Sequence, residues 1–175
     1  MGMKNKKAQS AMEYLMTYGW AILIIAIVLA ALFSLGIFSS SSFTGTTCIA
    51  SSGFLCSSPV WTSGTLHVTL GQSTGTSWTG VSFFFVPAGV ADPTSGSQVT
   101  SANYVIGTLT PSTTDLSSGQ TVAATFALNG TSQPAGADFS TAPGTSASGA
   151  IWVLYNTPSA SGLLSQIATT TLKES

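Results

Sequence analysis

Few residues in this chain could do chemistry. His67 is the only histidine, and Cys48 and Cys56 are the only cysteines. Two thiols and one imidazole do not complete the four ligands of a structural zinc site, so no metal is expected. Asp92, Asp115 and Asp138 are widely spaced and sit in ADPTSG, TDLSSG and GADFS, contexts that Asx-turns explain. Ser, His and Asp all occur, but no G-x-S-x-G elbow marks an active serine. No EF-hand loop, phosphate loop or HExxH pattern is present. His67 falls in TLHVTL, where it reads as a surface or structural strand residue. The expectation is a protein that is not an enzyme and carries no cofactor.

Two further sites concern covalent modification. Cys48 and Cys56 lie close together beyond a long apolar run, and an even pair in an exported region reads first as a disulfide. Two free buried thiols are the alternative. Asn129-Gly130-Thr131 is an acceptable N-glycosylation sequon, whereas Asn156-Thr157-Pro158 fails on its proline. As Asn-Gly after a strand, Asn129 equally makes a turn.

The charges are sparse and placed unevenly. Charged residues are 5% of the chain against 44% hydrophobic, and the formal net charge is −1. An ordinary soluble domain carries about 25% charged residues. Ser and Thr fill the deficit at about 30% of the chain. A hydroxyl surface stays wet without titrating, which suits acid, heat or a glycan-coated exterior. No basic patch exists, so no nucleic-acid partner is expected.

Lys4, Lys6 and Lys7 stand together ahead of residues 14–38, a run of 25 without a charge. As a helix it would reach roughly 37 Å, beyond the ~30 Å hydrocarbon core of a bilayer. The lysines before it place the N-terminus in the cytoplasm and the part of the chain after Phe38 outside. A secretory signal peptide has a shorter apolar core of about 7–15 residues. Neither that nor a plain anchor explains the polar residues wedged between the lysines and the apolar run. Tyr14, Tyr18 and Trp20 fit an aromatic belt at the membrane interface, or packing anchors in an assembly.

Those wedged residues read KKAQSAMEYL. They resemble the start of archaeal type IV pilins, which carry a class III signal peptide. The family pattern is a basic leader, a small residue at the cut, a Gln-Ser-Glu-Tyr-Leu-like stretch and a hydrophobic helix. Here these positions are Ala8, Gln9, Ser10, Glu13, Tyr14 and Leu15. The likeness is specific over residues 4–38 and architectural beyond. It implies cleavage by a prepilin-type signal peptidase between Ala8 and Gln9, with the helix retained in the mature chain. It also implies a membrane-held precursor, then a homo-oligomeric helical filament outside the cell, built by a pilus assembly motor and membrane platform. In this family the matching glutamate pairs with the N-terminal amine of a neighbouring subunit. Carried over, Glu13 meets the amine of another Gln9 and, with Tyr14, sets the register of assembly.

Once out of the bilayer, so much apolar surface cannot face water. Copies packing through a heterologous contact that does not close form a helical filament. Gly19, Ala21, Ala26, Ala30, Ala31 and Gly36 would let helices approach closely, although such residues are also ordinary membrane-helix composition.

Four segments must carry these residues. Residues 1–8 are a basic leader, 9–38 the hydrophobic helix, 39–47 a Ser/Thr-rich link and 48–175 an exterior domain. Strands are expected at 65–70 (TLHVTL), 81–86 (VSFFFV), 103–109 (NYVIGTL), 121–128 (TVAATFAL), 150–155 (AIWVLY) and 164–172 (LSQIATTTL). FFF and IWVLY are continuously apolar and predict central strands; TVAATFAL alternates as a half-buried strand does. Their spacing predicts an α+β chain: a long N-terminal helix followed by an all-β, immunoglobulin-like sandwich. Core packing is expected to absorb most of Trp61, Trp78 and Trp152. Competing functions are an archaellin-like motility filament subunit, a membrane-anchored extracellular binding protein, and an anchored hydrolase.

Overall fold

The structure, a computed structural model, describes residues 4–35, 45–129, 139 and 144–174. Residues 39–44 of the expected link, Gly130 and Thr131 of the sequon, Gly36 and Asp138 lie outside the described residues. The chain divides into two compact units, Met1–Phe43 and Thr44–Ser175.

The first unit contains α1, Lys4–Ser34. Its Ala, Leu and Met content favours helix, and the Ile and Val residues cost only tenths of a kcal/mol each. Helix starts at Lys4, so the backbone runs unbroken through the Ala8–Gln9 bond. Residues 4–8 of the polar leader therefore belong to α1. Thr17 Oγ1 donates to the Glu13 carbonyl at 2.9 Å, returning the hydroxyl to the helix backbone.

The second unit is two antiparallel sheets facing each other across one core. One sheet has the order β1-β9-β8-β4-β5 and the other β2-β3-β7-β6. The strands are β1 Thr47–Ala50, β2 Phe54–Thr62, β3 Thr65–Gln72, β4 Thr79–Pro87, β5 Val105–Ile106, β6 Thr108–Thr110, β7 Thr121–Ala127, β8 Ser146–Thr157 and β9 Ala160–Lys173. Phe83, Phe85, Ile151, Val153, Ile167 and Leu172 face Trp61, Leu66, Val68, Leu70, Val122 and Phe126 in the core. On β7 the burial alternates residue by residue, as its sequence predicts.

Two expectations change. The stretch 103–109 is not one strand. It forms β5 in the first sheet and β6 in the second, with Gly107 between them. A Cβ on Gly107 would sit 2.6 Å from the Phe126 ring, so only glycine lets the chain cross there without displacing it. Second, β1 and β2 exist where no strand was expected, and the link ends before Thr47. Their Ser, Cys and Pro residues hide the pattern. In β2 the register shifts between Ser57 and Val60, with Ser58 at φ 51°; such a bulge seats Pro59 in an edge strand. β4, by contrast, is the interior strand that its continuous apolar run predicts, buried on both faces. Phe84 and Val86 pack outward under residues 88–104, with Tyr104 and Trp152 beside them.

Candidate functional site

The largest unusual surface among the described residues is α1. Met12–Ser34 is long and apolar enough to cross a membrane, by length and composition. That fits a membrane anchor and a signal sequence alike. Its large side chains are exposed around the whole helix, including Met16 at 80%, Trp20 at 67%, Ile27 at 61% and Phe33 at 66%. Covering one such side chain is worth about 1.5–3 kcal/mol, so covering the helix is worth on the order of 20 kcal/mol. Membrane lipid or other helices can supply that cover.

Glu13 stands at the start of this surface. It is exposed, and its carboxylate makes no hydrogen bond or ion pair to a described residue. The Tyr14 ring lies tilted against Tyr18 one turn later, with ring centroids 4.4 Å apart. The structure places Ala8 and Gln9 in the same helix by their backbone. Glu13 and Tyr14 therefore share one helical turn, four and five residues after Gln9.

Cys48 and Cys56 form a disulfide, with Cα atoms 6.0 Å apart. It joins β1, the edge of one sheet, to β2, the edge of the other. The bond therefore closes one side of the sandwich. On the opposite side the chain itself closes the gap at Gly107, whose N–H donates to the Phe83 carbonyl at 2.8 Å.

The remaining candidates stay apart. His67 is exposed on β3, with Nδ1 3.3 Å from Thr125 Oγ1. Asp115 sits in a turn that Thr113 and Thr114 hydroxyls support. Asp92 makes no side-chain hydrogen bond of the Asx kind to a described residue. No group of three or more His, Cys, Asp or Glu gathers among the described residues. Asn129 is exposed, and its Nδ2 donates to the Ser63 carbonyl at 3.0 Å. That bond gives it a structural task, holding the β2–β3 turn. Trp61 and Trp78 are core residues at 1% exposure; Trp152 is half-buried against the second cluster.

Glu174 is the residue that sequence reasoning missed. It is buried, and its Oε1 accepts from the Gly64 N–H at 3.1 Å. Its own N–H donates to the Thr145 carbonyl. It therefore ties the end of β9 to the β2–β3 turn, where Gly64 has a positive φ of 73°. Nothing local in the sequence signals this, because the partners are 110 positions apart.

No family model, no curated protein and no solved structure matches the chain. Fold and site together describe a β-sandwich protein with an exposed N-terminal apolar helix and a disulfide across one sandwich edge.

Proposed function

We propose that this chain is the structural subunit of an archaeal type IV-like adhesive pilus. A prepilin-type signal peptidase cuts between Ala8 and Gln9. The mature helix rests in the membrane and then packs against copies of itself in the filament core, driven by an assembly motor and platform from other proteins. The sandwich decorates the exterior. The observation that carries this reading is α1: an apolar helix exposed on all sides, headed by an exposed carboxylate at Glu13 with no partner among the described residues.

A carboxylate at the rim of a membrane helix is costly, and the cost is recovered only with a partner. The freed amine of Gln9 on a neighbouring subunit has the opposite charge. Gly19, Ala26 and Ala30 recur at spacings of seven and four on one helix face, where close helix approach is possible.

The test compares wild type with Glu13→Ala by N-terminal sequencing of protein sheared from cells and of membranes. Wild-type filaments should start at Gln9. The variant should also be cut at Gln9 but stay in the membrane fraction. Normal filament yield from Glu13→Ala would remove the docking role. A wild-type chain that starts at Met1 and remains in the membrane would make it a plain anchored protein. A start after Phe38 would make it a secreted domain, and the pilus reading would fail.

A further inference from the structure

The outer face of the five-stranded sheet is only partly covered. Residues 88–104 fold over Phe84 and Trp152. Beside that cover lies a groove of about 450 Å³, within the ~300–1,000 Å³ typical of small-ligand sites. One row of its floor is Val86, Ala150 and Thr169, neighbours across β4, β8 and β9. The next row holds Ser148 paired with Thr171. Asp92 belongs to the wall.

We infer that this groove binds a neutral pyranose sugar through Asp92, Ser148, Thr169 and Thr171. First, these four side chains make no hydrogen bond to any described residue. Thr170, between two of them, instead spends its hydroxyl on the Gly149 carbonyl. Three hydroxyls, each a donor and an acceptor, and one carboxylate are thus free toward the groove. Vicinal sugar hydroxyls complement that set, and their bonds to a carboxylate are charge-assisted.

Second, the floor is small and mixed. Ala150 offers a small apolar patch for the C–H face of a ring beside the Ser148 and Thr169 hydroxyls. Third, the wall is already built. Tyr104 Oη donates to the Ala91 carbonyl at 3.1 Å, Ala88 N–H to the Ser148 carbonyl at 2.9 Å, and Val90 N–H to the Pro87 carbonyl at 3.1 Å. A preformed site loses less entropy on binding. Fourth, the lining argues against other occupants. It has no Lys or Arg, and Asp92 repels anions. β8 and β9 are interior strands, so a peptide cannot add to them as a further strand. One carboxylate is too few for a cation cage.

Sugar binding here does not depend on the filament reading. The test is saturation-transfer NMR on the full chain in dodecylphosphocholine micelles, which contain no sugar. The probes are the methyl pyranosides of mannose, glucose and galactose. Wild type should transfer saturation to ring protons of at least one. Asp92→Asn, and separately Thr169→Val with Thr171→Val, should lower the effect at least tenfold while leaving the melting curve unchanged. Thr125→Val, on the outer face of the other sheet, should leave the transfer intact. Inorganic phosphate should not compete. No transfer from any of the three sugars overturns the inference, as does undiminished transfer in the Asp92 variant or competition by phosphate.

Discussion

Removing the disulfide by Cys48→Ser with Cys56→Ser should destabilise the sandwich and leave α1 as it is. Its ring closes over a sequence separation of 8. In the chain-entropy account a loop of this size limits the unfolded chain by about 2.6 kcal/mol at 25 °C. A domain of roughly 130 residues has an unfolding entropy near 0.27 kcal/mol/K, so the melting temperature should fall by about 9 °C. The structure adds a local expectation. β1 has only four residues and only β9 as its ladder partner. Without the bond to β2 it should fray before the rest. The assay is thermal unfolding of the full chain in micelles, with amide exchange read by mass spectrometry. Wild type under reductant should melt with the double variant. Exchange should rise at Cys48–Ala50 and stay low on β7. A melting shift under about 3 °C, or exchange rising equally on β7, would refute the assignment of the bond as the clamp of that edge.

Single residues carry further expectations. Gly107→Ala forces a Cβ to 2.6 Å from the Phe126 ring; the overpacking should cost about 1–3 kcal/mol in denaturant unfolding. Glu174→Ala strands the Gly64 N–H in a buried site, costing about 1–3 kcal/mol, while Glu174→Gln, which keeps an acceptor, should lose less than half of that. Ile24→Asp puts a carboxylate near the middle of α1, costing about 2.5–3.5 kcal/mol of membrane insertion; carbonate extraction should release more of the chain, with the sandwich melting unchanged.

The long elements were legible because each repeats one simple signal. An uncharged run of 25 residues behind three lysines has no other economical state than a helix in an apolar medium. TVAATFA alternates because one face of β7 meets the core and one meets water. Even the pairing of Cys48 with Cys56 was readable, from their number and closeness. β1 and β2 were not, because Ser57, Ser58 and Pro59 break the alternation just where a bulge absorbs them. The division of 103–109 between two sheets was likewise invisible, since Gly107 is one residue whose role is set by a ring 19 positions away.

By itself, then, the sequence determined the helix, its membrane-compatible length, its charged entrance and the β-rich domain that follows, all properties of neighbours along the chain. Only the tertiary structure decided what distant residues do for one another. It buried Glu174 under Gly64, gave Asn129 to the Ser63 carbonyl and left Asp92 facing a groove with three uncommitted hydroxyls. The physical reason is the same each time. Burial and hydrogen bonding depend on which strands lie side by side, and that order is settled by packing of the whole core.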